Sequence, residues 1–259
     1  MQKKVWITSM SKDKDRISAL LKLGKKYGLA PDGHFWVDDM EKMAWQAPLD
    51  NLVAKDTALW IIYADSKDFD KESVRYGLSL LCLSLQSKKG IGFPIMIVSS
   101  DDLLKIATLP TPFQGAEIFK PDNKTLGAKM TARANTKIKQ IEPDYRLDIH
   151  ANQGYGVWYE IGPSNNEKWA GVLAGGLKSE VNAHGVGPKG ELPLKTTLEY
   201  QMQGIKLELG KDKYSAWAVK NKIDKNQSYY VRFSDTPGSI LFGQLPDEKN
   251  EADFHVLNL

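Results

Sequence analysis

The sequence predicts an α/β domain followed by an all-β domain: a doubly wound, five-stranded parallel sheet in the amino-terminal half, then an antiparallel β-sandwich or barrel. The first half alternates short apolar runs with helical patterns five times, which implies right-handed crossovers and a parallel sheet. The stretch from Asp56 to Ser100 shows the unit most clearly. An apolar run at 58–64, a nearly all-round apolar helix at 73–86 and a second run at 94–98 form one βαβ unit, its strands buried on both faces. After Pro143 the glycines multiply and short period-two runs replace the helical period, as in antiparallel all-β folds. The domains expected are therefore 1–143 and 144–259.

Taken in order, residues 4–8 read as the first strand. Ser11 is the expected N-cap of the next helix, with Asp13 and Asp15 in the first turn, where negative charge is favourable. Ile17, Leu20, Leu21 and Leu23 form its buried face and Gly28 ends it. Pro31-Asp-Gly33 reads as a turn, 34–38 as a second strand, and 40–54 as a helix interrupted near Pro48. Beyond the fourth strand come a helical turn at 101–107, a proline-punctuated loop at 108–112 and a weaker fifth strand at 116–119. In 124–141, Leu126, Met130, Ala134, Ile138 and Ile141 make one helical stripe and Lys129, Arg133 and Lys137 another, read as a solvated basic face.

In the second half, 145–150, 157–161, 169–174 and 178–183 read as short strands. Leu194, Thr196, Leu198, Tyr200 and Met202 alternate with polar neighbours, which predicts a strand with one wet face. Gly204 marks a bulge or turn before Ile205, Leu207 and Leu209 resume the alternation. Runs at 214–220, 229–233, 240–242 and 254–257 complete the set. The aromatic residues here are expected in the core. With Tyr229 and Phe233 inward, Tyr230 and Arg232 would face outward as a contact surface.

The 35 basic and 32 acidic residues are well mixed, unlike the concentrated charge of a nucleic-acid binder. No stretch is long enough for a membrane span, and the apolar run at the start is too short for a signal peptide. The chain is therefore expected to be cytoplasmic, bound neither to membrane nor to nucleic acid. A homo-oligomer stays open. The lone Cys82 falls in the apolar helix, where packing is its expected role. The four histidines have no zinc-ligand spacing, and no metal is expected; His34 with Asp38 and Asp39 offers at most a weak metal site. Gly185-Val-Gly187-Pro-Lys-Gly190 fits a dinucleotide fingerprint by spacing only, since no helix follows to hold a phosphate.

A doubly wound sheet binds ligands outside the carboxyl ends of its strands, at the switch point. Those ends carry Ser9, Ser11, Asp38, Asp39, Asp65, Ser66, Ser99, Ser100 and Lys120.

Trp6-Ile-Thr-Ser-Met-Ser-Lys-Asp-Lys-Asp-Arg16, Phe35-Trp-Val-Asp-Asp39, Leu59-Trp-Ile-Ile-Tyr-Ala-Asp-Ser66 and Ser73-Val-Arg-Tyr-Gly-Leu78 together resemble a Toll/interleukin-1 receptor (TIR) domain with its flavodoxin-like sheet. The resemblance covers the first half only. It adds Arg16, Ser73 and Arg75 to the ligand-binding candidates and implies a nucleotide such as NAD, or a protein, as partner. Catalytic members of that family use a glutamate in NAD cleavage, where a carboxylate steadies the positive charge on the ribosyl ring. Gly77 occupies the matching position here. The resemblance thus implies a signalling or ligand-binding module without glycohydrolase activity, joined to a β-domain that binds a partner or small ligand. The alternative is a nucleotide glycohydrolase or transferase using Glu72 or Asp38 as its carboxylate. Gly115-Ala-Glu-Ile-Phe-Lys-Pro121 separately resembles the end of a response-regulator receiver domain, with Asp65 in the place of its phosphorylated aspartate. Thr8 and Ser9 stand where that family has its Mg²⁺-holding acidic pair, so poor cation ligation is expected.

Overall fold

The computed structural model describes residues 2–138, 141–246 and 253–259. The chain divides into two compact units, Met1–Ile141 and Glu142–Leu259.

The first unit runs β1 (Lys4–Ser9), α1 (Lys14–Lys26), β2 (Ala30–Phe35), a 3-10 turn (Ala44–Gln46), α2 (Leu49–Val53), β3 (Thr57–Tyr63), α3 (Ser66–Phe69), α4 (Glu72–Lys89), β4 (Ile95–Val98), β5 (Glu117–Phe119) and α5 (Leu126–Asn135). Its five strands are all parallel, in the order β2-β1-β3-β4-β5. That is the flavodoxin-like order, with the switch point between β1 and β3.

Alternation along the strands sorts the core into two faces. Val5, Ile7, Leu59, Ile61, Tyr63, Met96 and Val98 pack with Leu20 of α1 and with Leu126, Met130 and Ala134 of α5. On the other face Trp60 donates its indole N–H to Thr8 Oγ1 at 2.9 Å and packs against Phe113. There α4, buried almost all round, packs with α2, α3 and the 3-10 turn at Thr111–Phe113. Cys82 lies inside that helix with its thiol 3.4 Å from Pro112 O, and burial pushes its pKa up.

Four local expectations are corrected. Asp13, not Ser11, caps α1, accepting from the N–H groups of Asp15 and Arg16. Pro31-Asp-Gly33 is not a turn but lies inside β2, paired with Val5, Trp6 and Ile7. Proline is tolerated because β2 is an edge strand. Gly33 is required because a Cβ there would lie 2.1 Å from Ile7 O. Asp38 therefore lies beyond β2 rather than within a strand. α5 ends at Asn135, so Ile138 and Ile141 fall outside it, while Lys139 and Gln140 lie outside the described residues.

The second unit contains β6 (Tyr145–Asn152), β7 (Gly156–Pro163), β8 (Val172–Leu177), β9 (Val181–Pro188), β10 (Met202–Leu209), β11 (Asp212–Val219), β12 (Gln227–Phe233), β13 (Ser239–Gln244) and β14 (Phe254–Asn258). They form a five-stranded sheet, β10-β11-β8-β13-β14, and a four-stranded one, β6-β7-β12-β9. Every pairing is antiparallel. Tyr145 meets Phe242 edge-on at 5.0 Å, and His184 meets Trp217 at 4.8 Å, joining the two sheets face to face as a sandwich.

The predicted strand at 194–202 does not form; β10 starts at Met202, and Leu194 and Tyr200 are exposed. Period two alone lacks a neighbouring strand to pair with, and this segment instead runs beside the edge strand β9, where Thr196 Oγ1 accepts from Val186 N at 2.7 Å and donates to Val186 O at 3.0 Å. Gly204, at φ +68°, accompanies the register shift between Met202 and Ile205, as expected of a bulge. Tyr230 is not an outward contact residue. It is fully buried, and its hydroxyl donates to Pro188 O and accepts from Glu191 N. Among the described residues no helix is long and apolar enough to cross a membrane.

Candidate functional site

The carboxyl ends of β3 and β4 are tied together by two carboxylates. Asp65 accepts from Ser99 Oγ at 3.0 Å, Ser100 N at 2.7 Å and Ser100 Oγ at 2.8 and 2.9 Å, and it also caps α3 in a reciprocal box with Asp68. Asp101 accepts from Ser66 N and Oγ at 2.7 and 2.9 Å and from the N–H groups of Leu103 and Leu104. Partial burial pushes the Asp65 carboxyl upward, but the donors on Ser100 and Ser99 outweigh it and hold the group below its ordinary value. Ser9 donates to Ser11 O at 2.6 Å. Lys120 pairs with Asp102 at 2.7 Å and reaches Ser100 O at 3.3 Å. The geometry thus brings Ser66, Asp65, Ser99, Ser100 and Lys120 together, but Asp65 and Ser66 serve loop structure.

The residues around position 77 form a second group, on the α4 face. A Cβ on Gly77 would lie 3.0 Å from the Trp36 ring and 3.3 Å from both Met40 Sδ and Trp45 Cβ. The space a longer side chain would need is filled by those residues. The indole N–H groups of Trp36 and Trp45 are buried there without a hydrogen-bond partner. Asp38 accepts from Ser73 Oγ at 2.9 Å, while Asp39 is held by Lys42 through its backbone N–H and ammonium. Glu72 is exposed in the first turn of α4. Arg75 donates to Thr108 O at 2.9 Å. His34 is no partner for Asp38: it takes the Trp6 indole N–H at 3.2 Å, stacks on that ring, and is lowered by burial to about 4.

A hollow of about 410 Å³ opens on the opposite, α1/α5 face, at the carboxyl ends of β3 and β4. Leu20, Leu23, Val98 and Pro121 form its apolar wall. Arg16, Tyr63 and Ser100 supply its polar part. Tyr63 is only 3% exposed, and its hydroxyl makes no hydrogen bond of ordinary geometry. It nevertheless lies close enough to Arg16 to be the first cause, ahead of Asp13, raising the guanidinium above its usual range. Arg16 was legible as a candidate, whereas Tyr63 and Leu20 read only as core, because their exposure to the hollow depends on where α1 crosses the sheet.

The β-unit holds a buried polar cluster that spacing did not reveal. Asp148 and His150 share one face of β6, and Glu160 stands opposite Asp148 on β7. Their ligand atoms all lie within 4.8 Å of one another. Glu160 accepts from Ser228 Oγ at 2.7 Å and Gly190 N at 2.9 Å, and its other oxygen is 2.6 Å from His150 Nε2. Arg146 approaches it at 3.9 Å and also donates to the carbonyls of Pro163, Asp224 and Gln227. Burial pushes the Glu160 carboxyl upward, but donors from His150, Ser228 and Gly190 prevail and hold it below its ordinary value. The cluster ties β6, β7, β12 and the segment after β9 together and reads as a satisfied polar core.

No protein-family model and no curated protein matches the chain.

Proposed function

We propose that the α/β unit is a TIR-like module that acts by binding a nucleotide-like ligand or a protein partner, without cleaving a glycosidic bond, and that the β-unit adds a second binding element. The observation that carries this reading is the packing at Gly77. The position where the family's catalytic members bear a carboxylate has no side chain, and Trp36, Met40 and Trp45 close the space around it. A carboxylate that steadies a developing ribosyl cation must sit beside the reacting bond. Asp38 is engaged by Ser73, and Glu72 lies at the exposed start of α4, more than a helical turn before Gly77.

The test is incubation of the purified chain with NAD while nicotinamide release is followed by chromatography. No release above the buffer rate is expected. Release that disappears in Glu72→Gln or Asp38→Asn would establish the glycohydrolase instead.

A further inference from the structure

We propose that the hollow on the α1/α5 face binds a small organic anion, its acid group held by the Arg16 guanidinium and the Tyr63 hydroxyl and its apolar body lying on Leu20, Leu23 and Val98. This extends the binding reading above but does not depend on whether NAD is cleaved, because the hollow lies across the sheet from Gly77.

Three features point to an anion. The Tyr63 hydroxyl is buried without a partner of ordinary geometry at the edge of a space of about 410 Å³, and a buried donor left unmatched is unfavourable. Arg16, the charged residue of the wall, carries donors and no acceptor, and Asp13 engages it at Nε, 3.1 Å away. The nearest carboxylate on the strand ends, Asp65, is saturated by Ser99, Ser100 and the α3 cap, so it cannot serve as the missing acceptor. An oxygen anion accepting from both Tyr63 and Arg16 would satisfy the first and take up guanidinium donors that Asp13, held at Nε, does not. Its apolar portion follows from the aliphatic side chains that make up the rest of the wall, the usual division of labour in small-molecule sites.

The probe is 1-anilinonaphthalene-8-sulfonate, an aromatic body bearing one anionic group, titrated by fluorescence into the full chain. One saturable site is expected, with amide perturbations in the NMR spectrum at Leu20, Val98 and Ser100. Arg16→Gln should weaken binding about tenfold and Tyr63→Phe about threefold or more. Ala19→Trp, at the rim of the hollow, should abolish it, with circular dichroism unchanged in all three. The neutral N-phenyl-1-naphthylamine should bind at least about tenfold more weakly. Unsaturable binding, no binding, undiminished affinity in Arg16→Gln or Ala19→Trp, or equal affinity for the neutral probe would overturn the assignment. Nicotinamide release in the separate NAD assay would overturn the proposed function and leave this result standing.

Discussion

Ser100 gives Asp65 both its backbone N–H, at 2.7 Å, and its hydroxyl, at 2.9 and 2.8 Å to the two carboxylate oxygens. The loops after β3 and β4 are therefore joined at the edge of the hollow by a carboxylate, the group that a receiver-like reading would have reserved for phosphorylation.

Asp65→Ala should cost about 1–3 kcal/mol, the usual result of losing a helix cap and leaving the hydroxyl of the buried Ser99 without its acceptor, and should speed amide exchange at Ser100. The folded carboxyl is depressed below its ordinary value of 3.8. Its contribution is thus complete above that value and lost as pH falls below it through the folded pKa. Urea denaturation of wild type and variant between pH 3 and 7 checks this: the difference between them should shrink on acidification.

Gly77→Glu should not confer NAD cleavage. With the Trp36 ring 3.0 Å from the new Cβ, overpacking should cost about 1–3 kcal/mol, and burial of the carboxylate adds to that. A lower melting temperature without nicotinamide release is the expected outcome.

Gly33→Ala should disrupt the β1–β2 edge, because the added methyl would lie 2.1 Å from Ile7 O. Backbone cannot yield as a flexible side chain does, so a loss of at least about 3 kcal/mol is expected. Calorimetry measures it. Gly115→Ala, where a Cβ meets nothing within 4 Å, is the matched control and should lie within about 0.5 kcal/mol of wild type.

Glu160→Ala should destabilise the β-unit by about 3 kcal/mol or more, because it removes the ion-pair partner of the largely buried Arg146 guanidinium. The depressed folded pKa of Glu160 gives the pH sign. The stabilisation is present above the ordinary value of 4.5 and disappears as pH falls through the folded value. Acid unfolding monitored by tryptophan fluorescence should therefore differ between wild type and variant mainly above pH 4.5.

The amino-acid order alone determined the two kinds of sheet, since periods of 3.6 and 2.0 and the punctuation by glycine and proline are local properties. It sufficed for the strands β1, β3, β4 and β5, the buried helix around Cys82 and the burial of Tyr159, Trp169, Tyr229 and Phe233, but not for Tyr200, which is exposed. Local pattern misled where pairing decides the outcome: Pro31 to Gly33 joined an edge strand, and the alternation from Leu194 to Met202 found no neighbour. Only the tertiary structure placed Glu160 opposite Asp148, Tyr63 beneath α1, and Trp36 over Gly77. These relationships depend on register and helix crossing, which bring together residues far apart in the chain and leave no periodic trace within it.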